Sequence, residues 1–330
     1  MPAETSPPSA AVHSIRTRAA EGGAGAHDVI EAAVELGDRR HDVWLRVTGA
    51  PAEPSFEPFF CLALQPAMSL GAELSCGALS GRLLDALPEL QAILALFSNG
   101  LQRPVPVHAE RAPVRDRPEG VGLCFSMGVD GMHSLVAHLD EVTHLVLLHD
   151  LDYARDAVFR EQIVDAARSV AEKTGKTLVE IDGNYHELIR QYPLSTSYTP
   201  GQTALGAMLA MAGHLLRGTI GTLLVPSSGT AATLTPFGSH PLTDPLWSSE
   251  DLRIVHDAIA VQRIDKVASF VDFEPAFTTL RPCGSNRNDQ YNCGRCKKCA
   301  FTMFTLEACN ALDRFDVFPT SLEEAMASVV

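Results

Sequence analysis

Residues 121–150 read VGLCFSMGVDGMHSLVAHLDEVTHLVLLHD, from Val121 to Asp150. The apolar run 121–125 has the length and residue types of a short strand. Ser126, Gly128 and Gly131 interrupt it, and Leu135, Val136 and Leu139 then recur at helical spacing. A second run over 143–149 is nearly continuous in apolar residues, the signature of a strand covered on both faces. Strand, glycine-bearing loop, helix and strand in about 30 residues form a β-α-β unit.

The alternation continues downstream. The spacing predicts a helix over 154–172, a strand over 177–181, an apolar helix over 203–216 and a strand over 219–225. Ser249 reads as the cap of a further helix through Leu252, Val255 and Ile259. Repeated units of this kind predict an α/β protein with a doubly wound parallel sheet and right-handed crossovers. Ligands of such sheets bind beyond the carboxyl ends of the strands.

Upstream the pattern is mixed, which predicts an accessory α+β region over 28–110. Strands are expected over 43–47, 59–64 and 105–108. Ser80 should cap an amphipathic helix through Leu83, Leu84, Leu87, Leu90, Ile93 and Leu94. The charged, proline-bearing stretch 111–120 reads as a linker, with the nucleotide-binding core over 121–280 and a metal-binding segment with C-terminal helices over 281–330. Residues 1–27 are rich in Ala, Pro, Ser and Gly without an apolar h-region. They read as a disordered lead-in rather than a signal peptide. No apolar run approaches the roughly 20 residues of a membrane-spanning helix, so no membrane partner and a cytoplasmic address are expected.

Lys and Arg number 26 against 40 Asp and Glu, a formal charge of −14. That balance disfavours a nucleic-acid partner, because phosphate backbones are bound by basic faces. A small anion can still be held by a local nest of backbone N–H groups. Eight cysteines without an export signal point to metal ligands and buried thiols rather than disulfides. Cys61, Cys76, Cys124 and Cys309 are scattered; Cys124 reads as core, and Cys309 has no evident sulfur partner.

The other four lie in RPCGSNRNDQYNCGRCKKCAFTM, Arg281 to Met303. Cys283, Cys293, Cys296 and Cys299 follow C-x9-C-x2-C-x2-C, and four thiolates at such spacing suit a tetrahedral Zn2+. Gly294 permits the tight turn between ligands. Arg295, Lys297 and Lys298 offset the charge of the thiolates. An iron–sulfur cluster or unligated buried thiols would fit the same residues. With all four ligands used, no coordination position stays open for catalysis. The centre reads as a structural clasp whose binding contributes on the order of 10 kcal/mol to local folding.

The loop Ser126-Met127-Gly128-Val129-Asp130-Gly131 runs from a strand into a helix, where backbone N–H groups face an anion. An ordinary β-α turn capped by Asp130 reads the same way. Strand 143–149 then delivers His149-Asp150-Leu151-Asp152 to the same rim. Together these residues resemble the PP-loop ATP pyrophosphatases, the adenine nucleotide alpha-hydrolase group, whose loop is Ser-Gly-Gly-x-Asp-Ser. The cysteine cluster looks most like that of the 7-cyano-7-deazaguanine synthases within that group. The likeness covers roughly 121–310 and leaves out the first region.

The resemblance implies a HUP-type fold whose loop, residues 126 to 131, cradles the phosphates of ATP. Asp150 and Asp152 would serve Mg2+ or the ribose, and Ser228 and Gly229 would help hold the nucleotide. Ser126, Asp130 and Lys266 would carry the chemistry, with Arg263 a second candidate cation; Lys266 and Arg263 fit a solvated face equally well. A small-molecule carboxylate would be adenylated with release of pyrophosphate, then take nitrogen from ammonia or sulfur from a donor. An amide, nitrile or thioamide results. A homodimer is left open. Ser126, Gly128 and Asp130 match the family loop; Met127 stands for a glycine and Gly131 for the last serine. Met127 thus puts a Cβ where positive φ or close approach is expected, at a cost of roughly 1 kcal/mol. These departures keep three other readings open: a nucleotide-binding regulator with an altered loop, a tRNA-modifying enzyme of the same fold, and a zinc-dependent interaction module. The polar stretch 238–247 offers His240 and Asp244 for a proton or Mg2+, or as loop staples.

Overall fold

Val43, Leu45 and Val47 alternate with more exposed neighbours and are buried, the period-two pattern of a half-covered strand. The computed structural model describes residues 8–19, 28–149, 157–284 and 290–329. The strands are β1 (Ser9–Ala19), β2 (Asp28–Leu36), β3 (Arg39–Thr48), β4 (Glu73–Cys76), β5 (Val107–His108), β6 (Gly120–Cys124), β7 (His144–Leu148), β8 (Thr177–Gly183), β9 (Ile220–Pro226) and β10 (Arg253–Asp257). The helices are α1 (Glu57–Leu70), α2 (Gly81–Phe97), α3 (Val129–Ala137), α4 (Ala157–Thr174), α5 (Tyr185–Ile189), α6 (Pro200–Thr203), α7 (Leu205–Leu215), α8 (Arg263–Ala268), α9 (Glu274–Phe277), α10 (Lys297–Ala308) and α11 (Leu322–Ala327). The protein is α/β, with ten strands among the described residues. β6 and β7 pair in parallel, as do β1 with β4 and β4 with β5, whereas β2 runs antiparallel to both β1 and β3.

The chain forms two compact units, each assembled from separate stretches. The first takes Met1–Gly120, Ile181–Val225 and Leu234–His256; the second takes Val121–Glu180, Pro226–Thr233 and Asp257–Val330. Passage from Gly120 to Val121 falls beside the expected linker, but 121–280 is shared between the units. The stretch 28–110 does not stand alone either. Arg46 pairs with Asp182, Trp44 N–H donates to Asn184, and α1 packs along α7.

In the first unit α1 is buried over every residue from Glu57 to Met68. The strand expected over 59–64 is therefore a helix. A continuous apolar run suits either period, and its length together with Pro58 in the first turn decides for the helix. At the foot of α1, Arg217 donates to Glu57 at 2.7 Å and lies 3.7 Å from Asp251, a buried ionic cluster. Ser80 caps α2 as expected, accepting from Leu83 N–H at 3.2 Å.

Two further expectations are overturned here. Residues 9–19 are not lead-in but strand β1, with Ala10 and Val12 buried. A register shift between His13 and Arg16, with Ser14 at φ 59°, breaks the alternation that would have announced the strand. The helix expected from Ser249 is replaced by β10. Ser249 Oγ does accept from Leu252 N–H at 3.1 Å, but the bond closes a turn, and Ile254 is buried in the strand that follows.

The second unit starts from β6 and β7, registered Leu123 to Leu145 and Cys124 to Val146. Leu145, Val146, Leu147 and Leu148 are all buried, as the continuous apolar run requires. Helix α4 packs on β7, α3 on α8, and α10 on α8 and α11. Among the described residues no helix is long and apolar enough to cross a membrane.

Candidate functional site

β6 ends where Phe125 N–H donates to Val146 O at 2.8 Å, and the chain then turns into α3 through Ser126, Met127 and Gly128. Met127 takes φ 58°, so the left-handed residue of the loop is the methionine that stands in place of a glycine. Its side chain is fully buried and its carbonyl accepts from Arg281 N–H at 2.8 Å, which offsets the cost of that backbone. Gly128, by contrast, has φ −69° and ψ 164°, open to any residue. A Cβ there would find nothing nearer than Ser126 Oγ at 3.6 Å. Among the described residues nothing requires a glycine at 128. Gly131 lies in α3, where a Cβ would press on Phe125 at 3.3 Å.

From Ser126 to Gly131, six consecutive backbone N–H groups find no acceptor among the described residues; the helical ladder starts with Met132 N–H to Gly128 O at 2.9 Å. A helix leaves its own first turn unsatisfied, but here the row extends through the loop as well.

Asp130, in the first turn of α3, accepts from Lys266 Nζ and Arg263 Nη1, each at 3.2 Å. Lys266 is 1% exposed, and its ammonium also donates to Ser227 O. Ser227 in turn donates through N–H to Asp257 O at 2.9 Å and through Oγ to Gly229 O at 2.8 Å. Asp257 accepts from Ser134 Oγ at 2.6 Å and meets His138 Nε2 at 3.1 Å. Burial works against charge on His138, but the bond to Asp257 and the charges of Asp257 and Glu141 outweigh it and raise its pKa. The loop, α3, α8 and the 227–229 turn are thus tied into one polar network. Ser126 and Ser228 are exposed, and Gly229 is half-buried. Asp150 and Asp152 lie outside the described residues. His149 is buried against Glu180, 2.9 Å away.

Sequence reasoning named Ser126, Asp130, Lys266, Arg263, Ser228 and Gly229, and missed Ser227, Asp257 and Arg281. Asp257 was hidden by the mistaken helix. Arg281 lies two residues before Cys283, and no local pattern sets it apart from Arg295, Lys297 and Lys298 in the same segment. It is 4% exposed, and its guanidinium stacks over Phe159 at 5.5 Å.

The sulfurs of Cys283, Cys293, Cys296 and Cys299 all lie within 4.8 Å of one another. Cys296 precedes α10, and Cys299 sits in its first turn. Gly294 takes φ 65°, and a Cβ there would strike Thr320 Oγ1 at 2.2 Å, so the turn between ligands needs glycine on both counts. The hydrogen bond with Cys283, then burial and the neighbouring thiols, push the Cys299 thiol far above the ordinary cysteine range. Four crowded sulfurs without a counter-charge are unfavourable as thiolates, and a bound cation reverses that. The set can hold a metal ion such as zinc. Asn292, buried, accepts from Cys283 N–H at 3.3 Å and donates to Leu280 O at 2.9 Å and Val317 O at 3.1 Å, fixing the strand of chain that leads into the centre.

In the first unit, Asp244 is 2% exposed and works as a staple: it accepts from His240 N–H at 3.1 Å and Ser239 Oγ at 2.7 Å, and meets His256 Nδ1 at 2.8 Å. His256 Nε2 is buried with no partner among the described residues. The chain matches no protein-family model, no curated protein and no solved structure.

Proposed function

We propose that the protein is an ATP-dependent enzyme that adenylates a small carboxylate-bearing metabolite and then passes the acyl group to a nitrogen or sulfur nucleophile. The observation that carries this reading is the row of six N–H groups from Ser126 to Gly131 with no acceptor among the described residues, beside two cations, Arg263 and Lys266. Such a row is a receptor for phosphate oxygens. Gly128, which no contact among the described residues requires, leaves room for the anion to reach the backbone.

In the reaction a substrate carboxylate oxygen attacks the α-phosphorus of ATP, and the bond from that phosphorus to the bridging oxygen breaks. Pyrophosphate leaves with the bond's electron pair. Ammonia or a sulfur donor then attacks the acyl carbon, and AMP leaves. Mg2+ bound to the triphosphate would neutralise part of its charge. The protein's part is positioning and charge stabilisation. Backbone N–H groups and Ser126 Oγ would orient the phosphates, with Ser228 and Gly229 flanking the nucleotide. Lys266, held by Asp130 and Ser227 O, would turn its remaining N–H toward the leaving pyrophosphate. Asp130 keeps both cations beside the loop and acts as a positioning residue.

The test is incubation with Mg-ATP and a panel of small carboxylates, reading AMP and pyrophosphate, alongside calorimetry of ATP. Carboxylate-dependent AMP formation is expected. Lys266→Met should lower it at least about tenfold, 1.4 kcal/mol of transition-state stabilisation. ATP binding with no AMP from any carboxylate would favour the regulatory reading, in which Met127 and Gly131 mark a loop that holds nucleotide without turnover. No ATP binding at all would end both.

A further inference from the structure

We infer that the four-cysteine metal centre governs anion binding at residues 126–131, through Arg281. This rests on the proposed reading of the loop as a phosphate receptor. The connection is short and covalent on one side. Arg281 lies two residues before the ligand Cys283, and its N–H donates to Met127 O at 2.8 Å. Its own carbonyl faces Gly128, 3.9 Å from where a Cβ would stand. Asn292 clamps the same segment from behind through Leu280 O and Cys283 N–H.

Met127 is the residue that needs this support. At φ 58° it occupies a basin that a non-glycine residue avoids by a factor of about ten. Only with Met127 in that basin does the row of N–H groups from Ser126 to Gly131 take the form described above. The Arg281 bond helps hold it there, and the metal holds Arg281 in register by fixing Cys283. A loop with glycine at this position would not need the strap. The methionine makes the loop depend on the centre.

The experiment compares metal-loaded protein with protein stripped by chelator and dialysed, using inorganic pyrophosphate in calorimetry and amide hydrogen exchange without ligand. Stripping should weaken pyrophosphate binding at least about tenfold and speed exchange at Arg281 and across 126–131. Met127→Gly, whose left-handed backbone is free, should reduce the loss on stripping to under about threefold. Equal pyrophosphate affinity with and without metal, or unchanged exchange at Arg281, overturns the inference. Failure of the loaded wild type to bind pyrophosphate, with exchange at 126–131 still sensitive to metal, overturns the phosphate reading and leaves the strap standing. If stripped protein unfolds, Asn292→Ala with its metal content verified replaces it. Weaker pyrophosphate binding supports the strap and unchanged binding refutes it.

Discussion

Gly128→Ala separates a glycine kept for the chain from one kept for a ligand. The backbone at 128 lies in the extended basin, and a new Cβ would sit 3.6 Å from Ser126 Oγ and 3.9 Å from Arg281 O, ordinary contact distances. Replacing Gly by Ala at a compatible position gains about 0.4–1 kcal/mol by restricting the unfolded chain. Gly128 is also the N-cap of α3, where Ala is worse than Gly by roughly 0.5–1 kcal/mol. The two nearly cancel, so stability should stay within about 0.5 kcal/mol and the melting temperature within about 2 °C. Anion binding should behave otherwise. A methyl group over the N–H row would deny the phosphate at least two charge-assisted hydrogen bonds, at about 1.5–3 kcal/mol each. A loss of about 3–6 kcal/mol is a weakening of more than about 100-fold. Calorimetry with Mg-ATP beside a thermal melt reads both quantities. A variant as stable as wild type that binds ATP equally well refutes the placing of phosphate over Gly128, and a melt lowered by many degrees refutes the claim that nothing internal needs this glycine.

Metal analysis should find about one zinc per chain, and Cys296→Ser should lower zinc content and melting temperature together, since ligand and fold are linked; folded full-length protein free of metal would contradict this. Arg217→Met should cost about 3–5 kcal/mol in urea unfolding, because it leaves Glu57 charged and buried without its cation; a loss under about 1 kcal/mol would show the cluster to be hydrated instead. His138 has a raised folded pKa, so its pairing with Asp257 contributes stability that is fully present below about pH 6.5 and fades as pH rises through the raised value. Urea midpoints of wild type and His138→Asn should therefore converge toward alkaline pH, and a gap that widens there would reverse the sign. Nitrogen NMR should find a proton on His256 Nδ1, since Asp244 only accepts; an Nδ1 without a proton would undo the pairing.

What could be read from the sequence was local. The 143–149 run announces a doubly covered strand because every residue of β7 from Leu145 to Leu148 must be apolar. The cysteine spacing announces a metal site because two of its intervals are a single turn of chain. The helix of Phe59–Leu64 was not legible, since burial on all sides erases periodicity. Strand β10 was not legible because Ser249 makes the same hydrogen bond in a turn as in a cap. The polar network around Asp130 joins residues up to 136 positions apart, and no local pattern encodes such a pairing. Met127 is the instructive middle case: a Cβ in a glycine-bearing loop could be read at once, but its support by burial and by Arg281 could not.

The place of β1 has a practical consequence for anyone handling the gene. This strand, which a compositional filter would trim as leader, lies between β2 and β4, and within the first unit it is what joins β4 and β5 to the β2–β3 hairpin. Removing residues 1–19 would lay open the β2 and β4 edges at once, two rows of unpaired amides and carbonyls of the sort that recruit neighbouring molecules. An N-terminally shortened product should accumulate as aggregate rather than as a smaller folded protein. During synthesis the same strand leaves the ribosome well before residue 76, at which its parallel partner is complete, so early β1–β2–β3 pairing has to keep it from straying.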